Sequence, residues 1–178
     1  MINSAWKIRS RYLLVALIVF LLDQLTKRIV SNAMVPYQSI EIVPDLLNLT
    51  YIHNRGAVFG LGSNFSSPYL SWFLSLLSLI SLGVILVYFL RVGSSNPRLY
   101  VGLSLVLGGA MGNLLDRISS GFVVDFIDVH WFQHHWPYFN VADLSICVGV
   151  GLLLISMSAK AEKAALAATT KATETTEI

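Results

Sequence analysis

The sequence predicts an integral membrane protein, mainly α. Four transmembrane helices carry a small extracytoplasmic β-element in the first outer loop and a partly helical second outer loop. Three observations lead there. Of 178 residues, 55% are hydrophobic and only 12% charged, about half the charged share of a soluble domain. Mean hydropathy is +0.68. The 23 residues from Pro68 to Leu90 contain no charge at all, and ~20 apolar residues suffice for a helix to cross a bilayer core. These numbers exclude a soluble enzyme, a nucleic-acid binder and a disordered chain. A net charge of +2 is too mild to point to a polyanionic partner.

The spans fall at Tyr12–Val30, Pro68–Leu90, Leu99–Leu115 and Phe139–Met157. Lys7, Arg9 and Arg11 ahead of YLLVALIVFLL also fit a secretory signal. Asp23, Lys27 and Arg28 separate that run from the small residues of Ser31-Asn32-Ala33, however, which favours a retained first helix. Lys7, Arg9, Arg11, Arg91, Arg98, Lys160, Lys163 and Lys171 fall on the side of the termini, against Lys27, Arg28, Arg55 and Arg117 on the other. The positive-inside rule therefore places both termini in the cytoplasm and residues 31–67 and 116–138 outside. Residues 1–158 form one membrane-embedded domain, and the Ala-, Thr-, Lys- and Glu-rich segment 159–178 is a weakly ordered tail. Ser71, Ser75, Ser78 and Ser81 repeat at helical spacing, and Gly108 and Gly112 form a small-xxx-small pair. Both patterns suit close helix packing. The lone Cys147 sits in an apolar stretch and reads as a packed or lipid-facing thiol.

The first outer loop is too long for a structureless connector. Ile40–Val43 and Leu49–Ile52 alternate like strands, with the turn signal Pro44-Asp45 between them. In the second outer loop Trp131, Phe132, Trp136 and Tyr138 suit the headgroup layer.

Acidic residues gather at one level. Asp23, Asp116 and Asp143 lie near the outer ends of three different spans. Asn113, Arg117 and Asn140 accompany them, and Asp125 and Asp128 lie in the loop above. A charge at the centre of a membrane helix costs ~2.5–3.5 kcal/mol on insertion scales, so such groups face a protein interior. Their convergence indicates one site at the outer face. Simple pairing is the bland reading for Asp23 with Lys27, at i and i+4, and for Asp116 with Arg117. His53, His130, His134 and His135 show no zinc-motif spacing. Two carboxylates held together cannot both ionise, so the pair shares a proton. One member can then activate water while the other polarises a carbonyl. Asp125 and Asp128 are both open to that role: on a helix they share a face, on a strand they oppose. A proton-coupled carrier and a non-catalytic membrane scaffold are the rival readings, although no inverted repeat is visible.

The motifs Asp23-Gln24 with Lys27, Asn54-Arg55-Gly56-Ala57-Val58-Phe59, Gly112-Asn113-Leu114-Leu115-Asp116-Arg117, Val123-Val124-Asp125-Phe126 and Phe139-Asn140-Val141-Ala142-Asp143 follow one another from about residue 10 to 158. Together they resemble the lipoprotein signal peptidase, or signal peptidase II, family of four-helix aspartic proteases of the bacterial inner membrane. The departure is Val58, where a smaller residue is expected. The resemblance implies catalytic aspartates at Asp125 and Asp143. It implies substrate-binding or supporting roles for Asp23, Lys27, Asn54, Gly56, Phe59, Asn113, Asp116, Arg117 and Asn140, with no metal or other cofactor. The implied substrate is a prolipoprotein whose cysteine bears diacylglycerol, cleaved just before that cysteine by a monomer working in membrane lipid and inhibited by globomycin. The glycine-rich GAVFGLG loop is a candidate lid over the site.

Overall fold

The computed structural model describes residues 2–56, 68–93 and 96–176. Helix α1 spans Ile2–Ala33, α2 Pro68–Arg91, α3 Pro97–Ser120 and α4 Val141–Thr176. The strands are β1 Ser39–Val43, β2 Leu47–Asn54, β3 Val123–Trp131 and β4 His134–His135. The expected apolar segments are helical, the fourth from Val141 and not from Phe139. Among the described residues, three helices are long and apolar enough to cross a membrane: Trp72–Arg91 within α2, Pro97–Ser120 and Val141–Ser158. In α1 the apolar run is interrupted by Asp23, Lys27 and Arg28, although the helix itself is continuous.

The helix ends follow local chemistry. Pro36 forbids continuation of α1, and the residue before a proline avoids the helical region. Asn96 caps α3 by accepting the Arg98 N–H at 3.0 Å, with Pro97 in the first turn. Gly121, at φ 78°, closes that helix with its own N–H on Arg117 O. The segment from Ala159, expected to be weakly ordered, continues α4 as helix to Thr176. Ala, Lys and Glu are strong helix formers, and nothing in 159–176 breaks the helix.

Helix α3 is central and buried along most of its length, and α1, α2 and α4 pack around it. Small residues set how closely they approach. A Cβ on Gly108 would meet Ala16 and Val19 of α1; one on Gly112 would strike the Asp23 carboxylate; one on Gly109 would strike Ala142 O and Ser145 of α4. Helix α2 packs more loosely, inserting Phe89 into a cluster with Ala16, Leu99, Tyr100, Leu103 and Leu107. The serine stripe of α2 is only partly an interface. Ser75 is buried and Ser78 half-buried, but Ser81 is exposed, because the inward face follows Leu82, Ile85 and Phe89. The Ser71 side chain lies outside the described residues.

The sheet has strand order β1-β2-β3-β4, antiparallel throughout. The β1–β2 turn passes through Asp45 at φ 55°, a left-handed position that Asp tolerates. The second outer loop, expected to be partly helical, holds two strands and no helix between Gly121 and Asn140. Its β-branched and aromatic run, Val123 to Val129, suits a strand instead. In the β2–β3 pairing, Leu49 lies opposite Ile127 and Ile52 opposite Asp125, so Thr50 and Tyr51 together face Phe126. Tyr51 and Phe126 thereby reach Val30 and Met34 and dock the sheet on α1. Phe139 bridges to Ile127, which brings the start of α4 beside β3.

Gly112→Ala should cost about 1–3 kcal/mol as an overpacked helix contact. Gly83→Ala, where an added Cβ meets open space, should leave stability nearly unchanged. Thermal unfolding in detergent compares the two, and equal melting temperatures would contradict the packing described.

Candidate active site

Asp125 and Asp143 come together through Asn140 and Asn113. Asn140 precedes α4 and accepts the Asp143 N–H on its Oδ1 at 2.9 Å. Asp143 Oδ2 in turn accepts the Asn140 N–H at 3.3 Å. This reciprocal arrangement is a capping box with Asn and Asp in the two roles. An amide has two donors left over after capping, where an ionised aspartate cap would have none. Asn140 Nδ2 donates to Asp125 Oδ1 at 2.7 Å and lies 3.2 Å from Asn113 Oδ1. Asn54 belongs to the same sheet face as Asp125, two positions along the ladder, and its Nδ2 donates to Asp125 Oδ2 at 2.8 Å. Asn54 Oδ1 takes the Gly56 N–H at 2.9 Å, which fixes that amide's direction. On α3, Asn113 Nδ2 donates to Asp143 Oδ1 at 2.8 Å.

Below the pair lies a second polar layer. Lys27 forms 2.8 Å ion pairs with Asp23 and with Asp116, and donates to Asn113 Oδ1 at 2.8 Å. The expected Asp23–Lys27 pairing is therefore present but incomplete. Asp116 turns to Lys27 and not to its neighbour Arg117. Asp23 Oδ1 accepts the Ala142 N–H at 2.9 Å, and Asp116 Oδ2 accepts the Val124 N–H at 3.2 Å. Gln24, quoted only as part of a motif, proves to be a bridge from its Nε2 to Asp116 Oδ1 at 3.0 Å and Gly112 O at 3.2 Å. An amide beside an acid in an otherwise apolar run was its only signal.

Arg117 reaches back to Asn113 O at a long 3.5 Å. Its charge acts on Asp143, Asp125 and Asp116, yet among the described residues it has no carboxylate within ion-pair distance, so its donors remain available to a ligand. Phe59, and with it Val58 and most of the candidate lid, lies outside the described residues.

Asp128 is buried but belongs elsewhere. It sits three residues along β3 from Asp125, hence on the opposite face, and binds Thr50 and Asn48 at 3.3 Å and His135 Nδ1 at 2.7 Å. The strand thus resolves which of the two stands beside Asp143: it is Asp125. Of the other histidines, His53 stacks on Phe122 and contacts the Tyr51 hydroxyl, and His130 stacks on His135.

Asp125 is 1% exposed. Burial, and then the charge of Asp143, push its carboxyl from the ordinary 3.8 up to about 7, although Asn54, Asn140 and Lys27 favour the anion. A hollow of about 190 Å³ opens beside Asp143, walled by Trp136, Tyr138, Phe139, Leu144 and Cys147. One carboxylate of the pair therefore borders an apolar recess.

Known proteins are similar to this chain over most of its length. The family described as Signal peptidase (SPase) II matches residues 15–159. The lipoprotein signal peptidase of Geobacter metallireducens is 43% identical over 144 residues, 81% of this chain and 88% of the relative. That of Geobacter sulfurreducens is 46% identical over 136 residues, 76% and 84% of the two chains. A solved bacterial membrane enzyme, determined by the in meso method at 2.3 Å resolution, superposes with a TM-score of 0.77 at 34% identity. It covers 86% of this chain and 91% of its own.

Folding raises the proton affinity of Asp125, so the folded state binds more protons than the unfolded state between about pH 4 and pH 7. The sign follows: this residue's contribution to stability is present below that window and is lost as pH rises through it. Thermal unfolding of wild type and Asp125→Asn across pH should show wild type losing ground to the variant as pH increases from 4 to 7. A difference that stays constant with pH would contradict the assignment.

Proposed function

The chain belongs to the signal peptidase II family, and from that premise we propose that it removes the signal peptide from diacylglyceryl-modified prolipoproteins, cutting just before the lipidated cysteine. The observation that carries this reading is the meeting of Asp125 and Asp143 in one hydrogen-bonded cluster, with Asp125 retaining a proton to about pH 7.

The chemistry follows from one proton shared by two carboxyls. The ionised member takes a proton from water, and the resulting hydroxide adds to the scissile carbonyl carbon. The protonated member, a role that suits Asp125, donates to the carbonyl oxygen. Collapse of the tetrahedral adduct breaks the C–N bond, and a proton passes to the departing amine of the cysteine. Asn54, Asn113 and Asn140 hold the carboxylates in place. Arg117, free of a carboxylate partner among the described residues, is suited to a substrate backbone carbonyl. Gly56 keeps Asn54 directed, and the family resemblance gives Phe59 a substrate-binding or supporting role.

The membrane placement is part of the same reading. Helix α1 crosses as the fourth span: Leu14, Leu17, Ile18, Leu21, Leu25 and Ile29 face outward from the fold, while Asp23 and Lys27 are buried against each other. With the termini in the cytoplasm, the sheet and the aspartates lie at the outer face of the bacterial inner membrane. The apolar recess beside Asp143 and the rim of Trp136 and Tyr138 favour lateral entry of a lipidated substrate from surrounding lipid. Globomycin-type inhibitors would occupy the same site, and one chain suffices for it. The proton-coupled carrier is set aside, because the matched family and relatives are peptidases.

The test uses purified protein in liposomes with a diacylglyceryl-modified precursor peptide. Cleavage before the modified cysteine is expected, and EDTA should not diminish it. Asp125→Asn and Asp143→Asn should each lower kcat by ~1,000-fold or more while the protein remains folded. Full activity in either variant would overturn the pairing.

A further inference from the structure

Lys27 is 3% exposed, and its ammonium has three donors facing three acceptors: Asp23 Oδ2, Asp116 Oδ2 and Asn113 Oδ1, each at 2.8 Å. An ammonium can only donate, so the Asn113 atom turned toward it must be the oxygen. The Asn113 NH₂ is thereby directed at Asp143 Oδ1, 2.8 Å away. With the amide turned over, NH₂ would face the ammonium and the carbonyl would face the Asp143 carboxylate. Two repulsions would replace two hydrogen bonds.

The other two acceptors of Lys27 also act one residue away from the pair. Asp23 holds the N–H of Ala142, which precedes Asp143, and Asp116 holds the N–H of Val124, which precedes Asp125. Asn113 Oδ1 additionally meets Asn140 Nδ2, the donor to Asp125. Three routes from one ammonium therefore end at the two aspartates, although Lys27 forms its ion pairs with neither of them. Charge neutralisation alone does not require this layout. Asp23 and Asp116 could be paired by a lysine that left Asn113 out.

We propose that Lys27 is a positioning residue of the peptidase: it fixes the direction of the Asn113 amide and, through Asn113, Asp23 and Asp116, the placement of Asp143 and Asp125. This rests on the reading of those aspartates as the hydrolytic pair. Lys27→Gln releases the constraint, because a glutamine amide can present either its oxygen or its nitrogen to Asn113.

Wild type and Lys27→Gln are compared in liposomes with the diacylglyceryl-modified precursor peptide, reading kcat, KM and the pH dependence of kcat. The variant should lose about 100-fold in kcat, as expected for misplaced reacting groups, with KM unchanged. The acid limb of its pH profile should move upward. Asp125 and Asp143 would have lost a nearby cation, with Arg117 as the cation still acting on them and Asp23 and Asp116 left unbalanced. A second variant, Lys27→Met with Asp23→Asn, removes the ammonium together with one of its anions, so the protein is tested without a large charge imbalance; the same loss of kcat at unchanged KM is expected. A folded variant of either kind with the kcat and pH profile of wild type would overturn the proposal. So would a change confined to KM, or failure of both variants to fold, which would make Lys27 purely structural. Absence of cleavage by wild type would instead overturn the underlying reading of the function.

Discussion

A buried charged group must find its partners inside the protein, and in this chain the ammonium of Lys27 is the group on which that requirement falls hardest. Breaking a buried pair by removing one partner costs ~3–5 kcal/mol. The partners of Lys27 come from its own helix and from α3, and two of them pass the constraint on to the backbone at Val124 and Ala142. The C-terminal parts of α1 and α3, the start of β3 and the first turn of α4 are thereby tied together by polar bonds. Apolar packing, which lipid tails provide equally well, could not specify their relative positions so closely.

The close approach of the helices makes those bonds possible. Gly112 allows the Asp23 carboxylate to lie against α3, and Gly109 admits the first turn of α4. Small residues and buried charges are thus two halves of one device, the first giving distance and the second direction. Asn140 completes it by capping α4 with its oxygen while its nitrogen reaches Asp125. A bulged strand pairing and the Phe139 bridge then carry the outer sheet to the same place.

Much of this was legible in the chain. Hydropathy found the four helices, and the alternation around Pro44-Asp45 found β1 and β2, because both signals are local. The convergence of Asp23, Asn113, Asp116, Asn140 and Asp143 was visible because charges are scarce in lipid and each one must be accounted for. The second outer loop was misread as partly helical. Its aromatic residues suggested an interfacial segment and masked the β-branched run beginning at Val123. The helical continuation through 159–176 was not foreseen, because a polar Ala- and Lys-rich segment has high helix propensity without any apolar face to announce it. Gln24 and the separation of Asp125 from Asp128 were not readable. The first depends on which helix lies opposite, which leaves no local trace, and the second on the segment around Val123 being a strand, which its aromatic neighbours masked.

Hydrolysis by a water molecule that the two carboxyls activate is the step proposed for this architecture, and isotope tracing reads it directly. A single turnover of lipidated precursor in heavy-oxygen water should place one heavy oxygen in the new C-terminal carboxylate of every released signal peptide and none in Asp125 or Asp143. Signal peptide carrying only ordinary oxygen, with the heavy isotope found in either aspartate, would show that a carboxylate attacks the peptide itself and would contradict the mechanism.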